Sequence, residues 1–233
     1  MVDAGSSLYE FFTYAAGVVG NLFAFVLFVS PLPTFRRIFR NKSTEQFSGL
    51  PYVYSFLNCL IVLWYGLPWV SQGVILVVTV NSVGALFHLS YVTIFIVFSD
   101  NWKKYKMFGL LLGVFCIFAL VIYVSLEFFH GYARQDFVGY LSVASLISMF
   151  ASPLFIINLV IRTKSVEFMP FYLSLATFLM SISFFTYGLF LHDFYVYLPN
   201  GIGAVLGLVQ LLLYAYYSRK SSNTSRLPLL VSG

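Results

Sequence analysis

The feature that most constrains this chain is a stretch of sequence that occurs twice. Residues 30–32 and 152–154 both read Ser-Pro-Leu, and residues 40–45 and 162–167 both read Arg-x-Lys-Ser-x-Glu at the same spacing. Each copy later has an asparagine just before a glycine-containing stretch, Asn81 in the first and Asn200 in the second. The motif recurs after 122 residues and the asparagine after 119, and this difference of three is close to one helical turn. The pattern indicates an internal duplication with equivalent side chains on similar helix faces.

The composition is that of a membrane protein. Hydrophobic residues make up 60% of the chain and charged residues 9%, whereas soluble domains have about 25% charged residues. The apolar runs are long enough to cross a hydrocarbon core about 30 Å thick. They predict seven spans, at roughly 11–30, 50–70, 74–98, 107–129, 137–161, 169–191 and 195–217. Cys59 and Cys116 both fall inside spans, so they indicate neither a disulfide framework nor a metal site.

The basic residues predict the orientation. Twelve of the thirteen follow spans 1, 3, 5 and 7, and only Arg134 lies on the other side. The positive-inside rule assigns the basic side to the cytosol, with the N-terminus luminal or extracellular and the C-terminus cytosolic. The net charge of +5 is therefore a topology signal and does not indicate a nucleic-acid partner.

The duplication and the odd number of spans predict the architecture. If three spans were followed directly by three more, the second copy would cross the membrane in the opposite direction to the first. One additional crossing, span 4, gives both copies the same direction. We expect an all-α membrane protein with two parallel three-helix bundles joined by a linker helix. The predicted divisions are a lead at about 1–10, repeats at 11–98 and 137–217, a linker at 99–136 and a polar cytosolic tail at 218–233. A short charged turn is expected between the two prolines of each copy.

Asn81 and Asn200 are the site candidates that the residues themselves favour. A carboxamide offers donors and an acceptor without charge, which suits vicinal hydroxyl groups. A membrane asparagine often only joins two helices, but a symmetric pair in two repeats favours a ligand site. His88, within span 3, is a proton relay or, as we favour, a residue bonded to a neighbouring helix.

The acidic residues lie in tails, loops or span ends, so the predicted pathway is neutral and its substrate should be neutral too. A carrier driven by protons usually needs ionisable groups inside the membrane. We therefore favour an uncoupled facilitator, and keep a proton-coupled carrier with His88 or Asp193 titrating as the alternative. The duplication argues against a seven-span receptor. No paired carboxylates, metal-ligand cluster or nucleophile–base set indicates an enzyme, and we expect no cofactor.

Several motifs together resemble the SWEET family of sugar transporters. They are the two Ser-Pro-Leu triplets, the two Arg-x-Lys-Ser-x-Glu turns, Glu167–Phe171, Tyr187–Leu189 and Pro199–Gly201. The resemblance covers about residues 9–218, and the SWEET proteins are a known example of parallel repeats. Residues 57–60 and 144–150 look like those of the plant subgroup associated with the vacuolar membrane.

The resemblance implies a bidirectional uniporter of a monosaccharide such as glucose, forming homo-oligomers in the vacuolar or plasma membrane. The implied substrate-binding residues are Asn81 and Asn200, flanked by Val62 and Phe184, with an adjoining layer of Leu27, Asn58, Met149 and Met180. The implied cytosolic gate consists of four prolines, Pro31, Pro51, Pro153 and Pro170. The implied outer gate consists of Tyr65, Tyr187 and Asp193. The chain departs from many family members at Phe184, where they have Trp, and near Gly73, where some have a basic residue.

Independently of the resemblance, a proline frees a backbone carbonyl and weakens its helix. Four prolines at repeat-related cytosolic positions favour hinges, although static kinks or helix ends would place prolines there as well.

Overall fold

The computed structural model describes residues 4–224, with side chains from 7 to 218. These residues form nine α-helices without strands. The helices are α1 (Ala4–Val29), α2 (Leu32–Asn41), α3 (Leu50–Gly66), α4 (Ile75–Phe98), α5 (Asn101–Glu127), α6 (Gly131–Met149), α7 (Ala151–Thr163), α8 (Phe171–Phe190) and α9 (Phe194–Thr224).

The nine helices make seven crossings, as predicted. Two crossings consist of a helix pair, α1 with α2 and α6 with α7, and four others are the single helices α4, α5, α8 and α9. All six are long and apolar enough to span a membrane. The remaining crossing, α3, has 17 residues, which corresponds to about 25 Å and lies near the lower limit for a span.

Three sequence predictions about helix boundaries were wrong. The expected turn after Pro31 is helix α2, because Phe35 and Ile38 on one side are buried while the arginines on the other stay exposed. Span 5 is not continuous but breaks at Phe150. The tail expected from 218 is helical as far as Thr224, and residues 225–233 lie outside the described part.

The two copies end their first crossing in the same way. Lys42 caps α2 with φ 49° and Lys164 caps α7 with φ 54°, both in the left-handed region. This conformation stops a helix and satisfies one of its last carbonyl groups. The charged turns are therefore real, but they begin only at these lysines.

In each repeat the third helix lies between the first two. Helix α4 packs against both α1 and α3, and α9 packs against α6, α7 and α8. Between the repeats, α1 packs on α8 and α3 packs on α6. The first helix of each bundle thus meets the second helix of the other, as expected for parallel repeats related by an axis along the membrane normal.

Glycines make the contact between α1 and α8 close. A Cβ atom on Gly20 would lie 2.9 Å from the ring of Phe184, and one on Gly17 would lie 2.9 Å from the ring of Tyr187. Real side chains essentially never approach so closely, so the two rings occupy the space that the glycines leave. Small residues in α1 thus allow the neighbouring helix to approach closely.

The linker helix α5 lies against α3 and α4 of the first bundle and α6 of the second. Trp64 Nε1 donates to Ser125 Oγ at 3.0 Å. Arg134, the exception to the charge pattern, donates to the carbonyl groups of Ser125 and Phe129 at 2.9 and 3.1 Å and to that of Trp69 at 3.2 Å. Its place at the end away from the basic turns, which we call the outer end, follows from this role, because it caps the end of α5 and joins α5 to the α3–α4 loop.

Candidate functional site

The two repeat-related asparagines have the same geometry. Asn81 Nδ2 donates to the Val77 carbonyl at 2.8 Å, and Asn200 Nδ2 donates to the Val196 carbonyl at 2.8 Å. Both valines are 4% exposed. Among the described residues, neither Oδ1 atom has a hydrogen-bond partner. Each carboxamide is therefore held by its own helix and keeps an acceptor and one N–H free.

Both asparagines lie at the same depth. Each is six residues from the outer end of its helix, the end away from the basic turns, which corresponds to about 9 Å along the axis. Both are partly buried. Pro199, just before Asn200, is fully buried. Two neutral carboxamides at one level are suited to the hydroxyl groups of a polyol.

Four of the predicted residues from the two repeats meet in one buried cluster. Val62 and Tyr65 of α3 lie in it with Phe184 and Tyr187 of α8. Met180 is partly buried and packs against the same cluster. In this conformation Phe184 is 3% exposed, since its ring packs on α1 at Gly20. The phenylalanine is thus a packing residue here, whether or not it also meets a ligand.

The other three predicted pocket residues lie outside this cluster. Asn58 is buried, and its Oδ1 accepts a hydrogen bond from Ser145 Oγ of α6 at 2.8 Å. It therefore joins the two repeats in this conformation. Leu27 and Met149 are partly buried and lie in neither buried cluster of the described residues.

At the outer end, hydrogen bonds between the repeats join Tyr65 to Asp193 and Tyr187 to Gly73. We call these four residues the outer closure. Tyr65 Oη lies 2.8 and 2.7 Å from the two carboxylate oxygens of Asp193. Tyr187 Oη donates to the Gly73 carbonyl at 3.3 Å. Gly73 has φ 84°, which favours glycine. Each tyrosine thus reaches the outer loop of the other repeat, and the predicted Tyr65, Tyr187 and Asp193 lie together.

Asp193 also begins helix α9. Its Oδ1 accepts from the N–H groups of Tyr195 and Val196 at 3.0 and 3.2 Å, as an N-cap residue does. Burial raises the pKa of Asp193 above its ordinary value, although the hydrogen bonds from Tyr65 and from the two N–H groups act in the opposite direction. The carboxylate therefore joins the repeats and also stabilises a helix end.

A cleft of about 250 Å³ lies above the outer closure. The outer loops of both repeats line it, together with the start of α6. Gln135, at its edge, donates to Tyr65 Oη at 3.4 Å and to Ser71 Oγ at 3.3 Å. Gln135 was missed in the sequence, because its partners are 64 and 70 residues away.

At the end that carries the basic turns, for which the sequence predicts a cytosolic position, the structure corrects part of the interpretation of the prolines. Pro51 lies in the first turn of α3 and Pro170 is the N-cap of α8. A proline there removes no helical hydrogen bond, because that N–H has no acceptor in the helix. Of the four prolines, Pro31 and Pro153 lie where a crossing is interrupted. In the described residues α2 packs on α4 and α7 on α9, each within its own repeat. The repeats are nevertheless joined near this end, where Tyr54 Oη of α3 forms a hydrogen bond with Ser148 Oγ of α6.

The expectation for His88 was wrong. No side chain or backbone group of the described residues forms a hydrogen bond with it, and its Nδ1 is buried without a partner. The ring lies instead among aromatic rings, 5.8 Å from Phe28 and 6.4 Å from Tyr91 between centroids. This setting is one of aromatic packing and provides no relay partner.

Asn21 is a polar residue that the sequence interpretation missed. Its Nδ2 donates to the Gly17 and Leu76 carbonyl groups at 2.9 and 3.0 Å, and its Oδ1 accepts from Thr79 Oγ1 at 3.0 Å. It therefore joins α1 to α4. The second repeat has Val143 at the equivalent position, so the duplication does not single out Asn21. An asparagine inside an apolar span could nevertheless have indicated a polar contact between helices.

The described residues contain no group of three or more His, Cys, Asp or Glu side chains that could hold a metal ion. The chemistry that remains is neutral hydrogen bonding at the two asparagines and a closure that two tyrosines make between the repeats.

Comparison with known proteins agrees with this geometry. The family model described as "Sugar efflux transporter for intercellular exchange" matches residues 15–103 and again 136–222. A protein of Oryza sativa subsp. indica named bidirectional sugar transporter SWEET2a is 65% identical over 99% of this chain and 94% of its own length. An Arabidopsis thaliana protein named bidirectional sugar transporter SWEET2 is 62% identical over 93% of this chain and 92% of its own length.

A solved structure shows the same fold. It is described as the 3.7 Å resolution structure of a eukaryotic SWEET transporter. The TM-score is 0.89 at 59% sequence identity, covering 91% of this chain and 99% of that one. With a family model that matches both repeats and relatives that match nearly the whole chain, this chain belongs to the SWEET family.

Proposed function

We propose that this protein is a bidirectional sugar facilitator, a transporter and not an enzyme, that moves a small neutral sugar across a membrane by alternating access. The observation that carries the proposal is the pair Asn81 and Asn200, anchored identically in two repeats with their acceptor oxygens free. The names of the relatives, bidirectional sugar transporters, support the substrate class. A monosaccharide such as glucose is our choice of substrate.

In this mechanism the asparagines hold the sugar between the bundles. Val62 and Phe184 flank the sugar, and Leu27, Asn58, Met149 and Met180 form the adjoining layer. Tyr65, Tyr187 and Asp193 are the outer gate, which is closed in the conformation described here. At the cytosolic end Pro31 and Pro153 are the hinges, while Pro51 and Pro170 mark the starts of the gating helices.

Transport should be uncoupled. A proton-driven carrier requires a titrating group that faces the substrate, and the acidic residues lie in tails, loops or the ends of the spans. The His88 ring lies among the aromatic rings of Phe28, Tyr52 and Tyr91. The proton-coupled alternative therefore has no group to act through except Asp193, which lies in the outer closure.

The cellular placement completes the proposal. We propose that the N-terminus is luminal or extracellular and the C-terminus cytosolic, with the vacuolar or the plasma membrane as the resident membrane. We further propose a homo-oligomer, and the divisions at about 1–10, 11–98, 99–136, 137–217 and 218–233 as the functional units. The basic residues of the cytosolic turns support the orientation.

Counterflow in liposomes tests the proposal. Purified protein in liposomes loaded with unlabelled glucose should take up labelled glucose, and an excess of an amino acid should not compete. With no preloading, the inside concentration should rise only to the outside value, including under an imposed pH gradient. Accumulation above that value would overturn the facilitator, and absence of any counterflow by glucose or sucrose would overturn the sugar substrate.

A further inference from the structure

Four exposed basic residues lie on two segments that meet where α2 ends and α5 begins, and we call them the basic corner. They are Arg36, Arg40, Lys42 and Lys106. Among the described side chains, none of the four forms a hydrogen bond or an ion pair. No described side chain therefore neutralises their charge.

The two halves of the basic corner are held side by side by Glu45. Its carboxylate binds Arg37, with 2.6 Å between Nη2 and Oε2, and its backbone carbonyl accepts from Lys103 Nζ at 2.8 Å. Nearby, a Cβ on Gly49 would lie 2.5 Å from Met107 Cε. The turn and the start of α5 are thus in direct contact. Another acidic group, the Asp100 carboxylate, lies 4.0 Å from Lys103 Nζ.

Helix α5 continues from the basic corner into a shallow apolar groove. Trp102, Lys106, Gly109 and Gly113 follow one another at intervals of four, three and four residues, so they share one face. A Cβ on Gly109 or Gly113 would meet nothing within 4 Å. On neighbouring faces Phe108 and Leu112 are exposed. One helix therefore offers cations at the membrane rim and an open apolar strip below them.

Aromatic residues place this rim at the membrane surface. Trp102 is 82% exposed and Tyr105 is 76% exposed, and such side chains favour the level of the lipid headgroups. Clusters of basic residues directly beside a span attract anionic lipids of the cytosolic leaflet. A soluble nucleic acid or phosphopeptide would use the cations alone and leave the apolar strip without a role.

We propose that the basic corner and the groove on α5 bind one anionic phospholipid of the phosphoinositide class. Its phosphates lie among the four cations, and one acyl chain lies along Gly109 and Gly113. The site is on the face that the positive-inside rule assigns to the cytosol. The inference goes beyond sugar transport, and lipid binding is measured without it.

The test is lipid binding by native mass spectrometry of the protein purified in neutral detergent, with dioleoyl phosphatidylinositol 4-phosphate as the probe. The wild type should bind it much more tightly than dioleoyl phosphatidylcholine. R36Q/R40Q should weaken binding by about tenfold or more, and K106Q by about fivefold, since each basic residue near an anionic lipid contributes substantially. The matched control R162Q/K164Q removes two charges from the equivalent turn of the second repeat and should change binding less than about twofold.

Equal losses in the control and in R36Q/R40Q would overturn the proposal, because the lipid would then sense only the net charge of the face. Equal binding of inositol 1,4-bisphosphate and the full lipid would overturn it as well, since the groove would contribute nothing. G109L/G113L should weaken lipid binding without changing the number of chains per particle. A change in that number would make this face a contact between copies and would also overturn the proposal.

Discussion

At the residue scale, the asparagines of the bundle have different roles, which depend on the groups around them. Asn81 and Asn200 bind only their own helices and keep free groups. Asn58 uses its oxygen to join the two repeats, and Asn21 joins α1 to α4. The first pair is therefore available to a ligand, whereas the other two stabilise the bundle.

This difference predicts separate effects of substitution. Replacing Asn81 or Asn200 with Ala should leave the melting temperature nearly unchanged, because the lost bond is to a carbonyl within the same helix. The affinity for sugar should fall by about two- to tenfold, as expected for a neutral hydrogen bond of about 0.5–1.5 kcal/mol. Asn21→Ala is the control and should lower the melting temperature without changing affinity. Unchanged affinity in both single variants would leave the pocket assignment without support.

The burial of Asp193 predicts that closure of the outer end depends on pH, and in which direction. In the closed conformation burial raises its pKa above the ordinary carboxyl value. When the outer closure opens, the carboxylate meets water and its pKa should return towards that value. The closed conformation then binds the proton more tightly, so lowering the pH through the range between the two values favours closure.

We therefore expect glucose counterflow to slow as the pH, equal on both sides, approaches the carboxyl range. Asp193→Asn should flatten this profile and should still fold, because asparagine is as good an N-cap residue as aspartate. A rate that rises on acidification, or the same profile in the variant, would contradict this role.

At the element scale, the two cytosolic turns share a motif but differ in their contacts. Glu45 binds Arg37 and Asn41, whose equivalents 122 residues later are Leu159 and Thr163. Within the described residues, the side chain of Glu167 has no such partner. In the described part of the chain, the linker helix donates a hydrogen bond to the first turn, from Lys103, and none to the second. We therefore expect the contacts of the first turn to contribute more to the stability of the protein than those of the second.

This asymmetry predicts that Glu45→Gln lowers the melting temperature, whereas Glu167→Gln leaves it unchanged. The hydrogen bonds from Arg37 and Asn41 lower the pKa of Glu45. Its contribution should accordingly be complete at neutral pH and be lost only as the pH falls through that lowered value. Equal melting temperatures of the two variants at pH 7 and low salt would contradict this prediction, because both turns would then contribute equally to stability.

At the scale of the whole molecule, the parallel repeats place the outer closure at one end of the bundles and the contact between Tyr54 and Ser148 towards the other. The sequence predicts the sides from the basic residues, of which twelve of thirteen follow spans 1, 3, 5 and 7. We expect single cysteines at Ser7 and Ser43, in a variant lacking Cys59 and Cys116, to be labelled by an impermeant reagent from opposite sides. Labelling from the same side would require a different number of crossings.

The sequence by itself determined the fold class, an all-α membrane protein, together with the number of crossings and the parallel repeats. These depend on local properties, namely the length of the apolar runs and the recurrence of the motifs at Pro31 and Pro153. It also singled out Asn81 and Asn200, because the duplication marks them. Boundaries were less certain, since α2 is helical only because Phe35 and Ile38 find a buried surface.

Only the tertiary structure decided which distant residues meet. Tyr65 and Asp193 are 128 residues apart, and no local pattern in either segment specifies the other. The burial of Phe184 required the space that Gly20 leaves on another helix. The unlike contacts of Glu45 and Glu167 arise because one linker helix lies beside only one of two similar turns. These are properties of packing between helices, which a motif repeated along the chain does not contain.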